Sequence, residues 1–182
     1  MTFIGNRQLA VAMLFLAGLT LACPAAVWAG WQAGVARVRI TPEQPMWMAG
    51  YAHRSKPAEG KLNDLWVRAL VLEDGQQHRA VVISLDVVGV SRALSQTLCE
   101  SLRNRFGFER NQLAICCSHT HSGPVIGDNL KPLHYAQLDK TQQDLIDQYA
   151  RALVQQVVDC VGRAVSNIKP CDVTHASGHC SF

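Results

Sequence analysis

Neither a block of like charge nor an interleaving of basic and aromatic residues occurs anywhere in the 182-residue sequence, and 17 Lys+Arg stand against 14 Asp+Glu. A nucleic-acid surface needs a concentrated positive field, so that class of function is excluded. Internal repeats and low-complexity tracts are also missing, which removes repeat architectures and disordered linkers. Long apolar runs are nearly absent too. The exception lies at the start, where Arg7 precedes an uncharged stretch from Leu9 to Ala22.

That stretch reads as a signal peptide. Pro24 interrupts it, and Val27-Trp28-Ala29 places small residues where a signal peptidase cuts, before Gly30. Residues 1–29 are assigned to a cleaved leader, and the mature chain to an exported location, periplasmic or secreted. A retained membrane anchor is the first alternative, because Leu9 to Ala29 approaches the roughly 20 residues that span a bilayer. A lipid anchor at Cys23 is the second, opposed by Thr20 three places earlier. The short apolar core and Pro24 favour cleavage.

About 150 residues remain, enough for one domain with its own core. They hold six cysteines: Cys99, Cys116, Cys117, Cys160, Cys171 and Cys180. An even number in an exported chain allows disulfides without fixing their pairing. Cys116 and Cys117 are neighbours on an expected strand and point to opposite faces, which makes them poor partners for each other. Buried free thiols are the alternative for part of the set.

Periodicity predicts a layered α/β domain, a mixed sheet with flanking helices. A strand from Val35 to Ile40 is ended by Thr41-Pro42, since proline withdraws a ladder donor. The loop from Glu43 to about Asn63 carries Met46, Trp47, Met48, Gly50 and Tyr51, so it packs over something or touches a ligand. Strands Trp66 to Leu72 and Arg79 to Leu85 flank an expected hairpin turn at Asp74-Gly75. The run Ala80-Val81-Val82-Ile83 is apolar on both faces and suits a strand covered by helices on each side. Ser91 caps a helix with Leu94, Leu98, Leu102 and Phe106 on one stripe and Gly107 as its stop. Leu113 to Cys117 forms another apolar strand. A long helix follows, with Thr141 as the candidate cap and Ile146, Tyr149, Leu153, Val157, Cys160, Val161 and Ala164 on its buried face. Lys169-Pro170 ends it, and a last strand is expected from Cys171 to Ala176.

The chemistry concentrates at Ser118-His119-Thr120-His121-Ser122-Gly123-Pro124. Histidines two apart at a strand end project to the same side, and the carboxyl edge of an α/β sheet is where ligands bind. Imidazole is a common zinc ligand, and a catalytic zinc takes three protein ligands plus a water. The segment supplies two at most. For an isolated His-x-His, periodicity alone leaves two solvated histidines as the commoner reading. Asp86, at the neighbouring strand end, is a candidate to hold a ligating imidazole in one tautomer; a solvated strand terminus is its plain alternative.

Together with Ala33-Gly34-Val35-Ala36-Arg37-Val38, Ile40-Thr41-Pro42, Met48-Ala49-Gly50-Tyr51 and Ser84-Leu85-Asp86, that motif resembles the amino-terminal portion of the neutral or alkaline non-lysosomal ceramidase family. The order and spacing of these pieces agree with the family over nearly all of the mature chain. The resemblance implies that residues 30–182 are the amino-terminal part of a larger catalytic domain, a zinc amidase cleaving N-acylated sphingoid bases to fatty acid and free base. It implies Zn2+ as cofactor, His119 as a metal ligand and His121 as the catalytic neighbour that stabilises an oxyanion or moves a proton. Gly50 and Tyr51 are implied at the substrate entrance, with a packed surface loop as their alternative. The implied partners are a ceramide-like lipid and a membrane surface. Family members take their remaining ligands, another histidine, a glutamate and a tyrosine, from downstream segments that this sequence lacks, so a truncated and inactive product is expected.

Two rivals stand beside this. Cys171, His175, His179 and Cys180 have the ligand character of a small structural zinc site, which would make the chain a metal-stabilised binding module. The same architecture also suits hydrolysis of another lipid or peptide amide. Zinc stoichiometry separates the first rival: His119→Ala abolishes binding and His179→Ala does not, whereas a tail site predicts the reverse.

Overall fold

The computed structural model describes residues 30–181. The leader assigned to residues 1–29 lies outside them. Five strands form one sheet: β1 (Trp31–Arg39), β2 (Trp66–Glu73), β3 (Arg79–Leu85), β4 (Leu113–Cys117) and β5 (Lys169–Cys171), in the order β4-β3-β2-β1-β5. Only β3 and β4 pair in parallel; the other neighbours are antiparallel. The crossover between β3 and β4 is helix α1 (Arg92–Phe106), and helix α2 (Lys140–Ser166) carries the chain across to β5. The mixed sheet with flanking helices is as expected.

Helix ends follow local chemistry. Ser91 caps α1 by accepting from the Leu94 N–H, and Gly107, at φ 74°, closes it with a bond to the Arg103 carbonyl. For α2 the cap is Asp139, whose carboxylate accepts from the Gln142 N–H at 2.9 Å. Thr141 lies inside the first turn and does not cap. An aspartate there also meets the positive end of the helix dipole, which a threonine does not. The hairpin differs in a similar way: the Asp74 carboxylate accepts from the backbone N–H of Gln76 and His78, and Gln77, not Gly75, takes the left-handed conformation at φ 66°. The last strand is also displaced, to 169–171 rather than 171–176. Pro170 is tolerated because β5 is an edge strand needing few ladder donors; it faces Gln32 of β1.

Alternation along the strands decides where the core lies. Val67, Ala69 and Val71 of β2 and Val81, Ile83 and Leu85 of β3 are buried against Leu98 and Leu102 of α1 and Leu153, Val157 and Val161 of α2. Each of the Val, Leu and Ile side chains contributes about 1.5–3 kcal/mol on burial. Tyr149 ties α2 to the end of β1, its hydroxyl donating to the Ile40 carbonyl, and burial pushes its pKa well above the usual phenol value.

Both helices contact this one face. On the other, Val35, Leu70, Val82 and Ala114 stand in register across four strands, with Val35 63% and Val82 39% exposed. Coverage of both faces, expected from the apolar run in β3, is therefore not found within this segment. All six cysteines of the described residues are free thiols; Cys160 is buried and Cys116 exposed, with Cys117 turned to the opposite side of β4. The asymmetry of the sheet has a direct test. Val81→Ala costs about 2 kcal/mol, whereas Val82→Ala, one residue along, costs less than about 1 kcal/mol, as read from urea denaturation.

Candidate functional site

Parallel strands leave a sheet on the same side, so the exits of β3 and β4 meet. Ser118 N–H bonds the Leu85 carbonyl at 2.9 Å, which sets the segment after β4 against the segment after β3. His119 then adopts φ 57°, a left-handed conformation that histidine reaches more readily than most residues and that concentrates at functional sites. This turns its imidazole so that Nδ1 lies 2.6 Å from the Val88 carbonyl oxygen. A carbonyl only accepts, so Nδ1 carries the proton and the Nε2 lone pair remains for a ligand.

His121 sits beside it, with ring centroids 5.0 Å apart and an angle of 69° between the planes. The sequence expectation that both histidines share one locality is met. The loop after β1 closes over them. Ala49 N–H bonds the Gly123 carbonyl at 2.9 Å and Val125 N–H bonds the Trp47 carbonyl at 2.8 Å, flanking a bridge between Met48 and Pro124. Met46, Ala49, Val88, Val125 and Ile146 form a second small core beneath. The apolar residues of this loop therefore pack, and the packed loop lies on the histidine segment. Gly50, at φ 101°, has no substitute here: a Cβ would come within 2.5 Å of His121 Cβ and Cγ. The Tyr51 ring stands nearly perpendicular to that of His121, with centroids 4.8 Å apart, and stays half exposed.

Asp86 has another role than the one expected. Its carboxylate accepts from the Trp66 N–H and from Arg68 Nη1, both at 3.0 Å, while a backbone carbonyl holds His119. Sequence patterns give no signal for a carbonyl in that position, because every residue has one. Arg54 and His134 carry no sequence signal either. Arg54 Nη2 donates to the His121 carbonyl at 2.6 Å. His134 is buried, and its Nε2 has no partner.

Among the described residues, no group of three or more His, Cys, Asp and Glu is gathered closely enough to hold a metal ion. Cys171, His175, His179 and Cys180 do not form one, and residues 172–181 carry no helix or strand. The His119–His121 pair suits part of a zinc cage: a neutral imidazole with Nδ1 fixed and Nε2 free is the form that binds metal. Burial, and then its neighbour Cys116, raise the thiol pKa of Cys117, two residues before His119, which disfavours its thiolate.

Burial, and after it the charge of Arg54, lowers the His134 pKa below the ordinary 6.5. The unfolded chain takes up a proton as pH falls through that value and the folded chain does not, so stability is lost on the acid side. Acidification from about pH 7 to about pH 5 therefore lowers the thermal midpoint more in the wild-type chain than in His134→Gln; equal shifts would show that His134 is not responsible.

Residues 31–181 match the family described as neutral/alkaline non-lysosomal ceramidase, N-terminal. The neutral ceramidase of Drosophila melanogaster is 29% identical over 161 residues, 87% of this chain and 21% of that protein. That of Pseudomonas aeruginosa is 26% identical over 149 residues, 80% of this chain and 22% of that protein. The crystal structure of neutral ceramidase from Pseudomonas aeruginosa superimposes with a TM-score of 0.62 at 23% identity, over 78% of this chain and 22% of that one. A structure described as ceramidase complexed with C2 gives 0.60 at 22% identity. The chain spans about a fifth of the length of these relatives. With the family pattern running the length of the sheet, both helices and the histidine segment, the chain belongs to the neutral/alkaline non-lysosomal ceramidase family.

Proposed function

We propose that this chain is the His-x-His segment of an exported zinc-dependent amide hydrolase acting on N-acylated sphingoid bases. The observation that carries the reading is the 2.6 Å contact between His119 Nδ1 and the Val88 carbonyl, which prepares Nε2 as a metal ligand within the motif that relates the chain to ceramidases. When bound, zinc supplies a Lewis acid for the amide carbonyl and a water whose pKa falls to about 7.

This chain's residues have separate tasks in that scheme. His119 holds the metal through Nε2, and Val88 keeps the ring in the correct tautomer; outer partners of this kind are worth about 10–100-fold in metal affinity. His121, next to it, donates a hydrogen bond to the oxyanion or passes a proton to the departing amine. Gly50 permits the loop to lie against His121, and Tyr51 borders the entrance for the lipid. Two histidines are fewer than the three protein ligands that a catalytic zinc takes, so His119 and His121 form part of such a site. A lipid substrate would bring the exported protein to a membrane surface.

An extended polypeptide that includes the family's downstream region tests this. It is expected to bind one zinc and release fatty acid from an N-acyl sphingosine, and His119→Ala is expected to lose both. Zinc binding without fatty-acid release would remove the sphingolipid assignment. A metal-free protein, or full activity in His119→Ala, would overturn the reading altogether.

A further inference from the structure

Arg54 is an arginine in an unusual position. It makes one protein hydrogen bond, Nη2 to the His121 carbonyl, and its guanidinium carbon stands 5.3 Å from the centroid of the Tyr51 ring. Its Nε is closed off from solvent with no partner. Among the described residues it forms no ion pair, although nine pairs of other lysines and arginines with carboxylates occur. A loop arginine normally keeps its charged head in water. Drawing a guanidinium partly out of solvent without a carboxylate costs free energy, so its retained contacts point to a function.

Those contacts close a circuit. The guanidinium bonds the peptide of His121 and covers Tyr51, and the Tyr51 ring meets the His121 imidazole in a T-shaped pair. Gly50 fills the remaining side, with no space for a Cβ between its backbone and His121. The second histidine of the motif is thus held at its carbonyl, its Cβ and its ring by one short stretch, residues 50–54. Thr120 and Ser122, its chain neighbours, make only a local bond with each other.

We propose that Arg54 is a positioning residue for His121: it fixes the His121 peptide directly and the imidazole plane through Tyr51. The use made of that orientation rests on the hydrolase function proposed above, whereas the clamp is a property of this chain. Displacing the peptide would carry the ring away from His119, and a misplacement of about 1 Å costs on the order of 100-fold in rate. Lysine is a poor replacement, because an ammonium has no planar fork with which to bond a carbonyl and cover a ring together.

Proton NMR of the isotopically labelled chain reads the clamp without metal or substrate. The wild-type His121 ring protons show a nuclear Overhauser contact to the Tyr51 ring and a ring-current shift from it. Arg54→Met removes both, and Arg54→Lys restores at most part. Where Arg54→Met folds poorly by circular dichroism, Arg54→Lys carries the same test, since it keeps the charge and loses the fork. In an extended polypeptide with amidase activity, Arg54→Met lowers kcat about 100-fold and moves KM by less than about threefold. Unchanged His121 signals in the folded variants overturn the clamp, whatever the activity does. A lost clamp with unaltered kcat overturns its catalytic use. Absence of any amidase activity counts against the hydrolase reading, and the NMR comparison still decides the clamp.

Discussion

Parallel pairing of β3 with β4 is the constraint on which the site depends. Strands that run the same way end at the same edge, so the residues after Leu85 and after Cys117 emerge side by side. The Ser118 bond to the Leu85 carbonyl extends that register by one step beyond the ladder. At the next residue, the left-handed backbone of His119 presents Nδ1 to the Val88 carbonyl. An antiparallel pair would place the two exits at opposite ends of the sheet. The α1 crossover is what makes the parallel pair attainable, and its cap and stop, Ser91 and Gly107, set its length.

Much of this scaffold was legible from residues alone. Strands β3 and β4 fall where alternation and apolar runs place them, and α1 begins and ends on the residues whose chemistry demands it. Where the structure departs from the sequence pattern, three-dimensional contact decides. Asp139 and Thr141 are both competent caps, and the one beside the Gln142 N–H prevails. Lys169-Pro170 reads as a break from sequence, yet an edge position lets it pair with β1. The run Ala80 to Ile83 does contain two apolar faces; the helices of this segment reach one of them.

The site was legible to a similar degree. His119 and His121 come together as their spacing and the family resemblance required, and Gly50 and Tyr51 lie against them. Asp86 was chosen because carboxylates often orient ligating histidines, but it is engaged by Arg68 and the Trp66 backbone. The groups that do orient the pair, a main-chain carbonyl and an arginine in the middle of a loop, belong to types too common for any spacing rule.

Strand β4 is the outermost of the sheet on its side, and its five residues, Leu-Ala-Ile-Cys-Cys, include no charge and no proline. Natural edges are usually guarded by one or the other against recruiting foreign strands. Here the open ladder runs straight into the histidine turn, so whatever docks along it becomes the immediate neighbour of His119. The same five residues that leave this edge unguarded thus leave main-chain donors and acceptors open to a further strand directly beside the histidine turn.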